Sequence, residues 1–281
     1  MAPRVGGTVI ATSDCVELPS GVSLTSDRLA DTVRGCSWPL NDSGSFILRR
    51  AGSPLDAVAR ELAEAHDLPP DVARFDVLRF IWTLNSLALV NIVPSGHRLR
   101  RLADWLGLTL RLAPTGALPT PITRRRRLDT GSMVRGVVST LRASGFRVLA
   151  IATASTLVLL PPTMIVGGPG RVGALAVGLG VGTAIGVGLH EAGHAAMLRG
   201  VPSALVVRGR RTFLLHAPLA PARRSLVAVS GPAAAVAAGM ALVLLGAAHA
   251  EPSVVVLGLP LAAHSLSLTV LGGDGRAACG I

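Results

Sequence analysis

Four long apolar runs fill the second half of this chain, at about residues 146–166, 172–198, 225–248 and 253–271. A helix that crosses a bilayer needs about 20 predominantly apolar residues, and all four runs reach or approach that length. The first third of the chain has a different character. Residues 1–97 carry 8 Arg and 11 Asp or Glu, a net of −3, whereas residues 98–281 carry 19 Arg and 5 acidic residues, a net of +14. The expected fold is therefore an α-helical polytopic membrane protein of about four spans, with an N-terminal α+β soluble domain. The expected divisions are a soluble domain over 1–95, a basic linker over 96–145 and a membrane domain over 146–281.

Lysine is absent, so arginines carry every strong positive charge, and their placement sets an orientation. Arg124–Arg127, Arg135, Arg142 and Arg147 precede the first run, and the next connection has only Arg171. The third connection holds Arg199, Arg208, Arg210, Arg211, Arg223 and Arg224; the fourth has none, and Arg276 follows the last run. The positive-inside bias puts both termini in the cytosol of a multi-pass cell-membrane protein. The N-terminus shows no sustained apolar segment of the signal-peptide kind, so residues 1–97 are expected in the cytosol. The arginines flank apolar runs rather than forming a patch with aromatics. Aromatic residues make up 3% of the chain, so no nucleic-acid partner is expected. Cys15, Cys36 and Cys279 are scattered and suggest neither a disulfide framework nor a cysteine zinc site.

Within the soluble part, short strands separated by Ser, Asp and Gly turns are expected over residues 7–36. Three helices follow. Asn41-Asp-Ser-Gly opens Ser45–Arg50. Ser53-Pro54 caps a run to His66, with Leu55, Val58, Leu62 and Ala65 on one face. Pro70-Asp71 opens the third, whose core face is expected to hold Val72, Phe75, Val77, Leu78, Phe80, Ile81 and Leu84. In the linker, 98–112 reads as a basic, partly amphipathic helix suited to a membrane interface or to packing, and Arg124–Arg127 is a block of like charge. Gly178, Gly180, Gly182, Gly186 and Gly188 crowd the second apolar run and read as a close-packed helix face.

Three polar groups interrupt the end of that run, in His190-Glu191-Ala-Gly-His194. Residues four apart share a helix face. Two imidazoles so spaced suit one zinc ion, with the carboxylate of Glu191 to handle water. Ionisable groups in a membrane are costly and normally pair, face a cavity or bind something. At about 1.5 Å rise per residue, His190 lies about 27 Å from Val172, near the cytosolic face. Zinc needs a third protein ligand. After Asp129 the carboxylates are Glu191, Glu251 and Asp274; Glu251 falls on the opposite side, and Asp274 ends the fourth run on the side of His194. His216, in the third connection, is a further possibility. His264 is weaker, about 15 Å up the same helix from Asp274.

With these motifs in place, the membrane half resembles the site-2 protease family of intramembrane zinc metallopeptidases. The resemblance rests on His-Glu-Ala-Gly-His, then Ser230-Gly-Pro232 entering the next span, then Gly273-Asp-Gly275 closing the following one. It implies His190, His194 and Asp274 as zinc ligands and Glu191 as general base. The Asn that the family carries after Gly-Pro is Ala235 here, and no Asn follows Asn91. Loss of that amide puts oxyanion or substrate-backbone stabilisation in question; His264, Ser265 or His216 are the possible substitutes. Trp38–Leu48, Gly52–Leu62 and the helix at 71–88 resemble the PqqD-like peptide-recognition domain, over about residues 5–93. That resemblance implies strands and a three-helix winged core. It also implies a leader peptide added as a strand beside Leu29–Arg34, against the helix at 71–88.

Together the two resemblances imply a membrane-embedded zinc endopeptidase that holds a ribosomally made precursor peptide by its leader and cleaves it. The segment Ala204–Leu215 reads as a hairpin near the site that offers an edge to extended substrate. Two alternatives stand beside this reading: intramembrane cleavage of a single-span regulatory protein, and a non-catalytic membrane anchor that binds leader peptides.

Overall fold

The computed structural model describes residues 10–96, 107, 122–142, 153, 156–157, 169–208 and 211–268. The chain divides into two compact units. One is Met1–Arg127 with Ala204–Ala217, and the other is Leu128–Ser203 with Pro218–Ile281.

The first unit follows the order expected from the sequence, strands and then three helices. Strands β1 (Cys15–Glu17), β2 (Val22–Leu24), β3 (Arg28–Asp31) and β4 (Cys36–Pro39) precede α1 (Asp42–Arg49), α2 (Leu55–His66) and α3 (Pro70–Ser86). Strand β5 (Asn91–Val93) returns to pair antiparallel with β1. Asn41 caps α1 by accepting from the Gly44 N–H at 2.9 Å. Pro70 opens α3 in the first turn, where a missing N–H costs nothing. The core is built from Leu29, Leu48, Leu62, Leu78, Ile81 and Leu89 among others, each nearly inaccessible.

Two face assignments differ from the sequence reading. Ala65 is exposed and Ala59 and Ala63 are buried, because a left-handed Asp67 turns the chain away directly after α2. Val72 and Phe75 are 46% and 45% exposed. The buried stripe of α3 runs through Ala73, Val77, Leu78, Ile81 and Leu84. At about 100° per residue, Val72 and Phe75 lie some 140–160° round the helix from the middle of that stripe.

The sheet β2-β3-β4 is antiparallel with β3 in the centre, pairing Leu24 with Leu29 and Leu29 with Trp38. Both sides of β3 are therefore taken, and a peptide strand has no place beside it. This corrects the edge expected near Leu29–Arg34.

The basic block in the expected linker is a strand, β6 (Thr123–Arg127). It pairs antiparallel with β7 (Ser203–Arg208), and β8 (Arg211–His216) completes a sheet of order β6-β7-β8. The expected hairpin thus exists, and its segment 204–217 groups with the first unit. Side chains alternate along β6, so Thr123 and Arg125 turn inward while Arg124 and Arg126 stay exposed. The Arg125 guanidinium is wholly buried and grips Asp31 at 2.6 and 2.7 Å. Two asparagines fasten the strand's backbone. Asn85 accepts from Thr123 N–H and donates to Thr123 C=O and Val90 C=O; Asn91 accepts from Arg125 N–H and donates to Arg125 C=O. Burial opposes ionisation of Asp31, but Arg125's bonds and charge, with the N–H groups of Arg34 and Val33, outweigh it and hold the carboxyl below its ordinary range.

In the second unit, residues 133–142 are helical. Helices α4 (Pro169–Met197), α5 (Pro221–Ala248) and α6 (Pro252–Ala262) pack against one another, and a 3₁₀ segment (Ala263–Leu268) continues α6. Two described helices are long and apolar enough to cross a membrane, Leu175–Met197 and Pro221–Ala248. The first expected span lies almost wholly outside the described residues. The fourth is met by the shorter apolar segment Pro252–Ser267. With 3₁₀ geometry over the last part, α6 and its continuation cover about 28 Å.

Candidate functional site

The helical unit builds its site from a single stripe on α4. Positions 178, 182, 186, 190 and 194 recur every four residues, and each step drifts about 40° round the helix. The first three are glycines that admit the last helix. A Cβ on Gly178 would meet Val256 and Ser253, one on Gly182 the Leu257 carbonyl, and one on Gly186 the ring of His264. The drift then turns His190 and His194 toward α5. Gly193 lies against the Ser230 carbonyl, where a Cβ would approach to 2.5 Å.

His190 and His194 meet with their Nε2 atoms 3.1 Å apart and their rings 4.7 Å apart, nearly perpendicular. His194 Nδ1 lies 2.6 Å from the Val227 carbonyl of α5. That carbonyl accepts, so Nδ1 carries a proton, and in the neutral imidazole Nε2 presents a lone pair. Two nitrogens each about 2.0–2.1 Å from one tetrahedral zinc stand about 3.3 Å apart, so this pair suits a shared divalent ion. The anchored Nδ1–H is the usual orienting bond of a ligating histidine.

Helix α5 is shaped for the pair. Ser230-Gly-Pro232, expected at the entry of a span, sits inside the helix. A Cβ on Gly231 would collide with the His194 ring and come within 2.7 Å of the His190 carbonyl. Only glycine leaves that volume for the imidazole. Pro232 offers no N–H to the Ala228 carbonyl, loosening the helix where Val227 C=O accepts from both Ser230 Oγ and His194. Ala235, the position of the missing Asn, is fully buried.

Glu191 is 9% exposed on the same helix turn. Asp274, the expected third ligand, lies outside the described residues, and among the described residues no group of three or more His, Cys, Asp or Glu is arranged to hold a metal ion. His216 ends β8 in the first unit, bonded at 2.8 Å to the Ala217 carbonyl. The sequence ranks His264 low, yet its ring lies 5.0 Å from that of His190, tilted by 39°.

The first unit offers a second surface, the outer edge of β4, whose residues are mostly exposed. Leu40 N–H donates to Asp27 C=O, so by antiparallel alternation the backbone of Trp38 faces β3 while Ser37 N–H and C=O and Pro39 C=O face outward. Arg28 holds the Ser37 hydroxyl at 2.9 Å.

Residues 29–90 match the family described as Coenzyme PQQ synthesis protein D (PqqD). The chain thus contains a PqqD-like domain, covering β3 through α3 and the turn toward β5. Comparison with curated proteins finds no match, and comparison with solved structures finds none.

Proposed function

We propose that this chain is a membrane-embedded zinc endopeptidase that captures a ribosomally made precursor peptide by its leader and cleaves it. The observation that carries the reading is the His190–His194 pair, with its fixed tautomer and its glycine-lined bed, in a chain that also holds a PqqD-like domain. The bilayer is the solvent for α4, α5 and their apolar neighbours, and both termini are cytosolic.

The leader adds as a strand to the open edge of β4, where Ser37 supplies the donor and Ser37 and Pro39 the acceptors. Phe75 and Val72 on α3 are exposed apolar groups available for leader side chains. Capture raises the effective concentration of the scissile bond, to the mM range for short flexible tethers. His190 and His194, with Asp274 from the family resemblance, would hold zinc. The ion would supply Lewis acidity and a water usable as nucleophile at neutral pH. Glu191 takes the water's proton and passes it to the leaving amine. Val227 keeps His194 in the tautomer that leaves Nε2 for the ion.

The test is mass spectrometry of candidate precursors incubated with the full-length protein. Leader release by the wild type, absent with Glu191→Gln, supports the reading; identical product from both variants overturns it. A second reading is favoured by Ala235. Its buried methyl replaces the family's amide, which suits a membrane anchor that binds leaders without cutting them.

A further inference from the structure

The zinc reading requires both imidazoles to be held in one geometry, and a third imidazole packs against His190. Val227 fixes His194. His190 has two ring neighbours, His194 at 4.7 Å and His264 at 5.0 Å. His264 arrives from the 3₁₀ segment after α6 and occupies space on α4 that a side chain would otherwise fill. A Cβ on Gly186 would lie 2.9 Å from His264 Nε2 and 3.1 Å from Cδ2. Gly186 is one four-residue step before His190 on the same stripe. The glycine and the histidine therefore form a complementary pair, the one opening a bed beside His190 and the other filling it with a ring.

We propose that His264 is a positioning residue for the metal site: packed over Gly186, it sets the ring of His190 so that its Nε2 converges with that of His194. In this role its ring packs beside that of His190, 5.0 Å away, and it is not itself assigned as a ligand. This role rests on the zinc reading. It also gives a physical reason for retaining an imidazole in the apolar 3₁₀ segment, where a polar side chain has to be justified by a contact.

The test uses the full-length protein in detergent with Zn²⁺ and Co²⁺ as the probes. Affinity is read by competition with a chelating dye, and geometry by the visible absorption of bound Co²⁺. His264→Ala is expected to weaken binding about 10–100-fold, the range for partners that orient a ligand, and to shift the Co²⁺ bands while metal still binds at saturation. Gly186→Ala is expected to do the same by pushing the ring away from the other side. His264→Phe keeps a ring without a nitrogen and is expected to recover affinity to within a few-fold of wild type. Wild-type affinity and spectrum in both His264→Ala and Gly186→Ala would show His264 to be a bystander. A Phe variant as weak as His190→Ala would make His264 a ligand, and either result overturns the proposal. If His190→Ala itself leaves binding unchanged, the zinc reading falls first and the positioning role falls with it.

Discussion

Replacing Asp31 by alanine tests how the basic strand β6 is held to the PqqD-like domain. The substitution leaves the Arg125 guanidinium buried with only the Ala88 carbonyl, at 3.3 Å, among its present partners. Its Nε already has no partner among the described residues. Breaking a buried pair from one side costs about 3–5 kcal/mol. A domain of ordinary stability has about 5–15 kcal/mol in total. At about 4 °C per kcal/mol for a unit of this size, the melting temperature falls by about 12–20 °C. Trp38 and Trp82 belong to the first unit, so tryptophan fluorescence of the full chain in detergent reports its unfolding. The double variant Asp31→Leu with Arg125→Met removes both charges and recovers most of the loss. The pair also has a pH signature. Its carboxyl titrates below the ordinary aspartate value of 3.8, so its contribution is complete above that value and disappears as the pH falls through the folded-state pKa. A loss under about 1 kcal/mol in Asp31→Ala, or a double variant no better than the single one, would refute the reasoning.

Further expectations follow from the same contacts. Asn85→Ala removes three buried bonds, at about 1 kcal/mol or more each, and speeds hydrogen exchange at the Thr123 amide. Gly231→Ala drives a methyl into the His194 ring and abolishes zinc retention measured by elemental analysis. Ser37→Pro removes the outward N–H of β4 and weakens leader binding about tenfold or more in a titration, and because that N–H faces away from β3 the melting temperature falls only by what loss of the exposed Arg28–Ser37 hydroxyl contact costs, a loss that Ser37→Ala alone reproduces. Glu191→Gln lowers cleavage by about 10²–10⁴-fold while zinc stays bound.

Local signals in the sequence carried much of the fold. Asn41 and Pro70 mark helix starts through the chemistry of the first turn, and the crowd of glycines from Gly178 to Gly188 marks α4 as close-packed, though only the structure picks out Gly178, Gly182 and Gly186 as the face that admits its neighbour. The HExxH pair was legible because helical spacing alone brings its imidazoles together. Other features depend on partners distant in sequence. Arg124–Arg127 reads as a block of like charge until Asp31, over ninety residues earlier, takes in Arg125. The central position of β3 is set by β2 and β4 together, which pattern alone does not order. Along one straight helix, His264 reads as about 15 Å from Asp274. Its contact is made sideways, across a 3₁₀ turn and into the space over Gly186.

The most direct test of the account is the zinc content of the purified full-length protein. The account predicts about one zinc per chain, lost in His190→Ala and kept in Glu191→Gln. Wild-type protein that holds no zinc after purification in zinc-supplemented buffer would contradict it.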